Sequence, residues 1–146
     1  MSDILSTCQS LPSRRIQPGD ILIEEGKTNE HLFILESGSV EILKQDVRIN
    51  TVSSQGSMFG EVSLLLGSTP MATVKAVEPC VFRVAENGLE FLCSHPVVHL
   101  ELSRLIAKRL NGVTTYLVDL KHQFEDSGDH LGMVDEVLES ILNNPK

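Results

Sequence analysis

The sequence has no tryptophan, a single tyrosine and few cations. It contains 12 Lys and Arg against 20 Asp and Glu, so its formal net charge is −8. Proteins that bind nucleic acid neutralise its phosphates with clustered Lys and Arg, and those that bind single strands stack the bases on aromatic rings. Both features are scarce here, and we therefore expect no nucleic-acid partner.

Cysteines are also few and form no recognisable pattern. Cys8, Cys80 and Cys93 are odd in number and include no CxxC pair, which argues against a disulfide framework and favours reduced thiols. No apolar run approaches the roughly 18 residues that span a membrane. The N-terminus lacks the basic start and apolar stretch of a signal peptide. These absences predict a soluble cytoplasmic protein without a membrane partner.

Signatures of catalysis and metal binding are missing as well. No Ser lies in a GxSxG elbow, and no Cys belongs to a nucleophile motif. His95 and His99 are four residues apart, but they lack the acidic residue of an HExxH helix, and Pro96 makes His95 a helix cap. The adjacent carboxylates Glu24 and Glu25 are interpreted as solvated rather than catalytic. We expect a binding module rather than an enzyme, with no metal and no cofactor.

What the sequence does contain is a strand-rich part followed by a helix-rich part. Over residues 16–84, short apolar or alternating runs are separated by glycine-containing turns, at intervals typical of a small β-sandwich or roll. The ESGS segment at 36–39 predicts a hairpin that joins Leu32–Leu35 to Val40–Leu43. In that turn, Gly38 is expected to take a positive φ.

After residue 85 the apolar spacing becomes helical. Pro96 suits the first position of a helix, and Gly112 is interpreted as a bend between two helices. From residue 110 the apolar residues alternate three and four apart: Leu110, Val113, Leu117, Leu120 and Phe124. This spacing predicts a seam that packs on another helix. The seam belongs either to a homodimer through helix 110–124 or to a contact with the chain's own β-roll.

The segment at 59–76, FGEVSLLLGSTPMATVKA, carries the candidate binding chemistry. A Gly-Glu turn that opens a short helix at Val62–Leu65 leaves backbone N–H groups without intrahelical partners, and such groups favour an anion. Gly60 allows the backbone to approach a ligand closely. Glu61 is able to accept a hydrogen bond from a sugar hydroxyl. The alternative is a surface turn in which Glu61 merely caps the helix.

This segment resembles the phosphate-binding cassette of the cyclic nucleotide-binding domain family, which includes the catabolite activator protein and kinase regulatory subunits. The resemblance extends upstream through PGDILIEEGKTNEHLFILESGSVEI at 18–42 and covers roughly residues 10–125. It implies a mainly β fold with flanking helices: an antiparallel β-roll (jelly roll) of two four-stranded sheets, an N-terminal helix and two or three C-terminal helices. We expect the domain to span 1–126, with the roll over about 12–85, helices over about 95–126 and a helical tail over 127–146.

The resemblance also implies a ligand site. Glu61 would hold the ribose 2′-hydroxyl, the amides from Gly60 to Leu64 would face the cyclic phosphate, and Thr73 would lie near the ligand. The predicted ligand-binding residues are Phe59, Gly60, Glu61, Val62, Ser63, Pro70, Met71, Ala72 and Thr73.

One feature of the family's cassette is missing. Relatives carry an Arg that pairs with the phosphate, but the gapless alignment places Pro70 at that position and the alternative alignment places Met71 there. A charge-assisted hydrogen bond contributes about 1.5–3 kcal/mol. The affinity for cyclic AMP is therefore expected to be roughly 10- to 150-fold lower. Lys75, Arg48 and Arg83 are the candidates for a substitute cation.

Two functions remain open from the sequence. The first is a stand-alone regulatory domain that senses a small phosphate-containing ligand similar to cyclic AMP and relays binding through its C-terminal helices to an unidentified protein partner. The second is a degenerate domain that binds nothing in the cassette and serves as an interaction or dimerisation scaffold. The presence of Glu61 favours the first function, and the missing Arg favours the second.

Overall fold

The computed structural model describes residues 2–123 and 129–143. Within these ranges the strands are β1 (Ser13–Ile16), β2 (Ile21–Ile23), β3 (Leu32–Ser37), β4 (Val40–Lys44), β5 (Val47–Val52), β6 (Met58–Phe59), β7 (Thr73–Ala76) and β8 (Cys80–Ala85). The helices are α1 (Ser2–Thr7), α2 (Glu61–Leu66), α3 (Gly88–Ser94), α4 (Pro96–Gln123) and α5 (Asp129–Asn143).

The strands form two four-stranded sheets. One sheet has the order β1-β8-β3-β6 and the other the order β2-β7-β4-β5. Neighbouring strands in both sheets are antiparallel. The predicted fold class, an antiparallel β-roll with flanking helices, is confirmed.

The hydrophobic core of the roll contains buried residues from both sheets: Ile23, Phe33, Leu35, Val40, Phe59, Val74, Ala76, Cys80, Phe82 and Val84. Alternation along β8 shows how the sequence builds it, because buried Cys80, Phe82 and Val84 are separated by less buried neighbours. The ring of Phe82 meets those of Phe33 and Phe59 edge-on, with centroid distances of 6.2 and 6.1 Å. Such edge-to-face contacts add to the burial energy of the aromatic side chains.

Strand β3 is buried on both faces. Phe33 and Leu35 belong to the core, and Leu32 and Ile34 on the opposite face are also buried. Helix α3 covers part of that second face, since a Cβ placed on Gly88 would lie 2.8 Å from the backbone N of Leu32. Burial on both faces explains why β3 reads as a continuous apolar run instead of an alternating one.

The N-terminal segment is held against β8 by Arg83. The guanidinium of Arg83 donates hydrogen bonds of 3.1 Å to the carbonyl oxygens of Gln9 and Leu11, and it pairs with Glu36 at 3.1 Å. Cys8 is fully buried in this segment. That burial raises the pKa of the Cys8 thiol to about 11, because the thiolate would be poorly solvated.

The predicted hairpin between β3 and β4 is wrong. β3 pairs with β6 and β8, whereas β4 pairs with β5 and β7, so the chain changes sheets at this turn. Gly38 does take the expected positive φ, at 99°. A Cβ there would lie 2.4 Å from the carbonyl oxygen of Pro79, so the turn also needs glycine for close packing. A glycine turn between two apolar runs does not specify whether those runs pair.

The two-residue hairpin lies one connection later, between β4 and β5. Lys44 pairs with Val47, which leaves Gln45 and Asp46 as the loop. Both loop residues have a positive φ, of 51° and 65°. Two-residue hairpin loops of this handedness normally contain Asn or Gly. The loop sequence Gln-Asp therefore gave no clear signal.

Among the helices, α3 was not predicted, and α4 has no break at the suggested bend, Gly112. The side chain of Asn87 caps α3 by accepting a hydrogen bond of 3.2 Å from the N–H of Glu90, and it donates to the Glu90 carboxylate. The spacing Asn-x-x-Glu is a capping signature that would have predicted this helix. Helix α4 runs continuously through Gly112. A single exposed glycine costs a helix only about 1 kcal/mol, so it does not force a bend.

The chain divides into two compact units, Met1–Glu101 and Leu102–Lys146. The first contains both sheets, and the second contains most of α4 together with α5. In the second unit the side chains of Leu110 and Val113 are exposed, and Lys121 forms an ion pair with Asp135. Phe124, the last residue of the predicted seam, lies outside the described residues. None of the described helices is long and apolar enough to cross a membrane.

Candidate functional site

The cassette begins where β6 ends, and Gly60 makes the turn into α2. Gly60 has a φ of 91° and precedes the first residue of the helix, Glu61. The structure extends the predicted helix at 62–65 by one residue at each end. A helix of only six residues has a small dipole, so any preference of this turn for an anion depends mainly on its backbone N–H groups.

Gly60 packs so closely that no other residue fits without a shift. A Cβ at this position would lie 2.7 Å from the carbonyl oxygen of His31 and 2.8 Å from Nδ2 of Asn29. The turn at Asn29–His31 is held by two hydrogen bonds. Asn29 Nδ2 donates to the His31 carbonyl at 2.8 Å, and His31 N–H donates to Asn29 Oδ1 at 3.2 Å. The same Cβ would lie 3.5 Å from Cδ1 of Ile23, a core residue. The cassette therefore starts directly on the core of the roll.

Glu61 places a carboxylate in a buried position beside this turn. Its relative exposure is 7%, and its Oε1 accepts a hydrogen bond of 3.4 Å from the N–H of Val62. Ser63 is also buried, and its hydroxyl donates to the carbonyl of Gly60 at 3.2 Å. A carboxylate has two acceptor oxygens with several lone pairs, so Glu61 is chemically suited to accept hydrogen bonds from hydroxyl groups.

The second arm of the cassette, residues 70–73, is held by its neighbours. The carbonyl of Pro70 accepts a hydrogen bond of 2.9 Å from Gly26 N–H, and the hydroxyl of Thr73 accepts one of 3.0 Å from Glu25 N–H. Pro70 is buried, whereas the side chain of Met71 is 57% exposed. Of the predicted site residues, Phe59 is also buried in the core, and Val62, Ala72 and Thr73 are half-buried.

The three cations proposed from the sequence lie elsewhere. Arg83 belongs to the other sheet, where it binds Glu36 and the N-terminal carbonyls. Lys75 alternates with the core residues of β7, which places it on the outer face of its sheet, opposite Glu41. Arg48 lies opposite Leu43 on that same outer face. None of the three is directed at the core side of the cassette.

Lys44, which the sequence reasoning overlooked, does contact the cassette. Its Nζ donates a hydrogen bond of 2.8 Å to the carbonyl of Met71 and lies 3.6 Å from the Glu25 carboxylate. Glu25 in turn accepts a hydrogen bond of 2.9 Å from Gln45 N–H. Alternation along β4 contained the necessary signal, because Lys44 is two residues beyond Ile42 and four beyond Val40.

Helix α2 also contacts α3. A Cβ on Gly88 would lie 2.5 Å from Cδ1 of Leu64, and Gly88 N–H donates a hydrogen bond of 2.8 Å to the carbonyl of Glu30. The cassette helix thus rests on the first helix after the roll.

A cleft of about 440 Å³ opens beside α2, lined by the turn at 28–30, by Ser63 and Leu64, by residues 67–69 and by Asn87 and Leu89. Ser63 is its only lining residue that belongs to the predicted ligand set. The lining includes the acidic residue Glu30 and no basic residue. Over the described part of the chain, no cluster of three His, Cys, Asp or Glu side chains is arranged to hold a metal ion.

The roll and its cassette define a member of a known ligand-binding class. The family profile of the cyclic nucleotide-binding domain matches residues 13–92, which is more than half of the chain. The chain therefore belongs to the cyclic nucleotide-binding domain family.

Individual relatives agree with this assignment. The chain is 40% identical over 76 residues to a cAMP-dependent protein kinase regulatory subunit of Yarrowia lipolytica, an alignment that covers 52% of this chain and 20% of the relative. It is 38% identical over 63 residues to the type II regulatory subunit of Drosophila melanogaster, with 43% of this chain and 16% of the relative covered. The chain thus spans a fifth or less of the length of these curated relatives.

Solved structures match the fold. The regulatory subunit of a cAMP-independent protein kinase A from Trypanosoma brucei is 28% identical, with a TM-score of 0.57 over 65% of this chain and 35% of that chain. The catabolite activator protein of Thermus thermophilus is 24% identical, with a TM-score of 0.68 over 83% of this chain and 60% of that chain. The second similarity supports the fold alone.

Proposed function

We propose that this chain is a regulatory domain whose cassette binds the ribose of a cyclic nucleotide or a closely related small molecule. The observation that carries the proposal is the buried Glu61 carboxylate next to Gly60, on a turn that packs against the core. A carboxylate has two acceptor oxygens with about four lone-pair sites, so it can accept hydrogen bonds from a ligand in addition to those from the protein. A pair of ribose hydroxyl groups supplies such donors without adding charge.

The phosphate end of the ligand is bound weakly in this proposal. Residues 59–74 contain no Lys, Arg or His, and neither Pro70 nor Met71 replaces a guanidinium. The similarity to a cAMP-independent regulatory subunit from Trypanosoma brucei supports a reduced dependence on cyclic AMP. We therefore propose a site in which the sugar and the base contribute more to affinity than the phosphate.

The regulatory part of the proposal depends on the contact between α2 and α3. Leu64 of the cassette packs directly against Gly88 of α3. A ligand that moves α2 would therefore also move α3. Such a ligand shifts the equilibrium only by the difference in its affinity for the two arrangements. The output would be the binding of a protein partner. We propose a cytoplasmic location, which suits three free cysteines.

The experiment is a calorimetric titration of the wild-type protein and of Glu61→Gln with cyclic AMP, cyclic GMP, cyclic dinucleotides and adenosine. Glu61→Gln keeps the shape of the side chain and removes its charge. The loss of one charge-assisted hydrogen bond should weaken the binding of ribose ligands by roughly 10- to 150-fold. Glu78→Gln, an exposed carboxylate beyond the other end of β7, is the control and should bind like wild-type.

A non-binding scaffold is the second candidate function, and the absence of any cation from residues 59–74 favours it. In that case Glu61 serves only the turn. Glu61→Gln would then lower the melting temperature, and none of these ligands would give heat of binding with the wild-type protein. The titration therefore separates the two functions.

A further inference from the structure

We propose that Lys44 is the cation that pairs with the anionic group of the ligand, in place of an Arg within the cassette. This inference rests on the proposed function, because it assigns a residue to the same site. The anionic group that Lys44 would contact is the cyclic phosphodiester of the ligand. Lys44 lies outside the cassette in sequence, at the end of β4.

The register of the sheet places Lys44 at the right end of the roll. β2 ends at Ile23, which pairs with Val74, and Ile42 of β4 also pairs with Val74. The end of β2, the start of β7 and the end of β4 therefore lie at the same end of this sheet. Gly60 packs on Ile23 at this end. Strands β2 and β4 flank β7, so they lie two strand spacings, about 10 Å, apart.

The face of the sheet is also the right one. Val40 is fully buried in the core, and Ile42 packs against it. Side chains two residues apart on a strand share a face, so Lys44 continues the row that faces the core. Gly60 lies on the same side of this sheet, because a Cβ there would lie 3.5 Å from Cδ1 of the core residue Ile23. Lys44 therefore faces the side of the sheet on which the cassette lies, whereas Lys75 and Arg48 face the opposite side.

The contacts of Lys44 leave it able to take an anion. Its ammonium has three N–H donors, and the carbonyl of Met71 and the carboxylate of Glu25 account for two of them. The side chain is 49% exposed. It can therefore turn toward a ligand without creating a cavity in the core. The bond to Met71 holds the ammonium at the arm of the cassette that lacks its Arg.

The test compares two ligands on one set of variants. Cyclic AMP carries the phosphodiester, and adenosine carries the base and ribose without it. Lys44→Gln should weaken the binding of cyclic AMP at least about tenfold and change the binding of adenosine less than about twofold, because only the charged bond is lost. Lys44→Arg should bind cyclic AMP at least as tightly as wild-type, since the charge is kept.

Lys27→Gln is the matched control. Lys27 is a lysine of the neighbouring turn that pairs with Glu24 at 3.2 Å, and its side chain is 72% exposed. It should bind both ligands like wild-type. Melting temperatures of all variants separate a loss of fold from a loss of binding.

Three results would overturn the inference. Equal weakening of cyclic AMP and adenosine by Lys44→Gln would make Lys44 a support for the second arm only. Unchanged binding of cyclic AMP would mean that Lys44 does not meet the phosphate, and the proposed ribose site would still stand if Glu61→Gln impairs adenosine binding. A wild-type protein that binds neither ligand would refute the proposed function together with this inference.

Discussion

Replacing Gly60 with alanine tests whether the cassette turn is fixed by its backbone contact. The φ of Gly60 is 91°, in a region that costs an L-residue roughly 1–2 kcal/mol. The new Cβ would also lie 2.7 Å from the His31 carbonyl oxygen and 2.8 Å from Asn29 Nδ2. Relief of that overlap has to move the turn at Asn29–His31, which is held by two hydrogen bonds.

The close contact adds a second cost to the backbone strain. Each hydrogen bond disturbed in the turn costs about 0.5–1.5 kcal/mol, so the contact adds roughly 1–3 kcal/mol to the backbone strain. Gly19→Ala is the matched control, because Gly19 has the same φ of 91° and nothing within 4 Å of its Cβ position. We expect Gly19→Ala to cost about 1–2 kcal/mol and Gly60→Ala about 2–5 kcal/mol.

Denaturant unfolding measures this difference directly. For a chain of this size the excess cost corresponds to a melting temperature lower by roughly 2–4 °C per kcal/mol. Gly60→Ala should also weaken adenosine binding, since it displaces the turn that carries Glu61. Equal free energies of unfolding for the two variants would refute the argument that the contact with Asn29 and His31 fixes the cassette.

Two further predictions concern the second arm and the helical unit. Met71→Arg should bind cyclic AMP at least about tenfold more tightly than wild-type, because Met71 is exposed and a guanidinium there would supply a charged hydrogen bond. Calorimetry checks this with Met71→Gln as the uncharged control, and equal affinities of Met71→Arg and wild-type would contradict it. Val113→Asp should convert a wild-type dimer into monomers in sedimentation, because Val113 lies half exposed on the predicted seam. Asn111→Asp is the control on a different face of α4, and a wild-type protein that already sediments as a monomer would contradict this prediction.

The sequence predicted a small β-sandwich or roll because its apolar runs are short and separated by glycine turns, and its resemblance to the family implied two four-stranded sheets. It predicted the cassette because Gly60 and Glu61 stand in a recognisable segment. Both depend on local patterns, which can be read without knowing which strands pair. The placement of Gly60 against His31 and Asn29 is a contact between distant segments, and no local pattern contains it.

Two errors had the same physical origin. The turn at Gly38 was interpreted as a hairpin, although the chain changes sheets there. The true hairpin at Gln45–Asp46 adopts positive φ angles without glycine. Because that hairpin was not recognised, β4 was predicted to end at Leu43, and the alternation that gives the direction of Lys44 was not followed to its end. Arg83 was retained as a candidate cation because the sequence did not reveal that β8 belongs to the other sheet.

Helix α3 shows a different limit, since its signal was present and unused. The spacing of Asn87 and Glu90 matches a capping box, and the structure contains the corresponding bond. Helix α4 shows the opposite case. Gly112 suggested a bend, but the helix runs continuously through it. Local propensity is a weak guide wherever the rest of the helix compensates for one residue.

Whether a ribose binds at Glu61 is tested directly by titrating the isotope-labelled wild-type protein with adenosine and following the backbone amide signals. We expect the largest shifts at Gly60, Val62 and Ser63, and we expect these shifts to be lost in Glu61→Gln. Shifts confined to the cleft residues Thr28, Asn87 and Leu89, or no shifts at all, would contradict it.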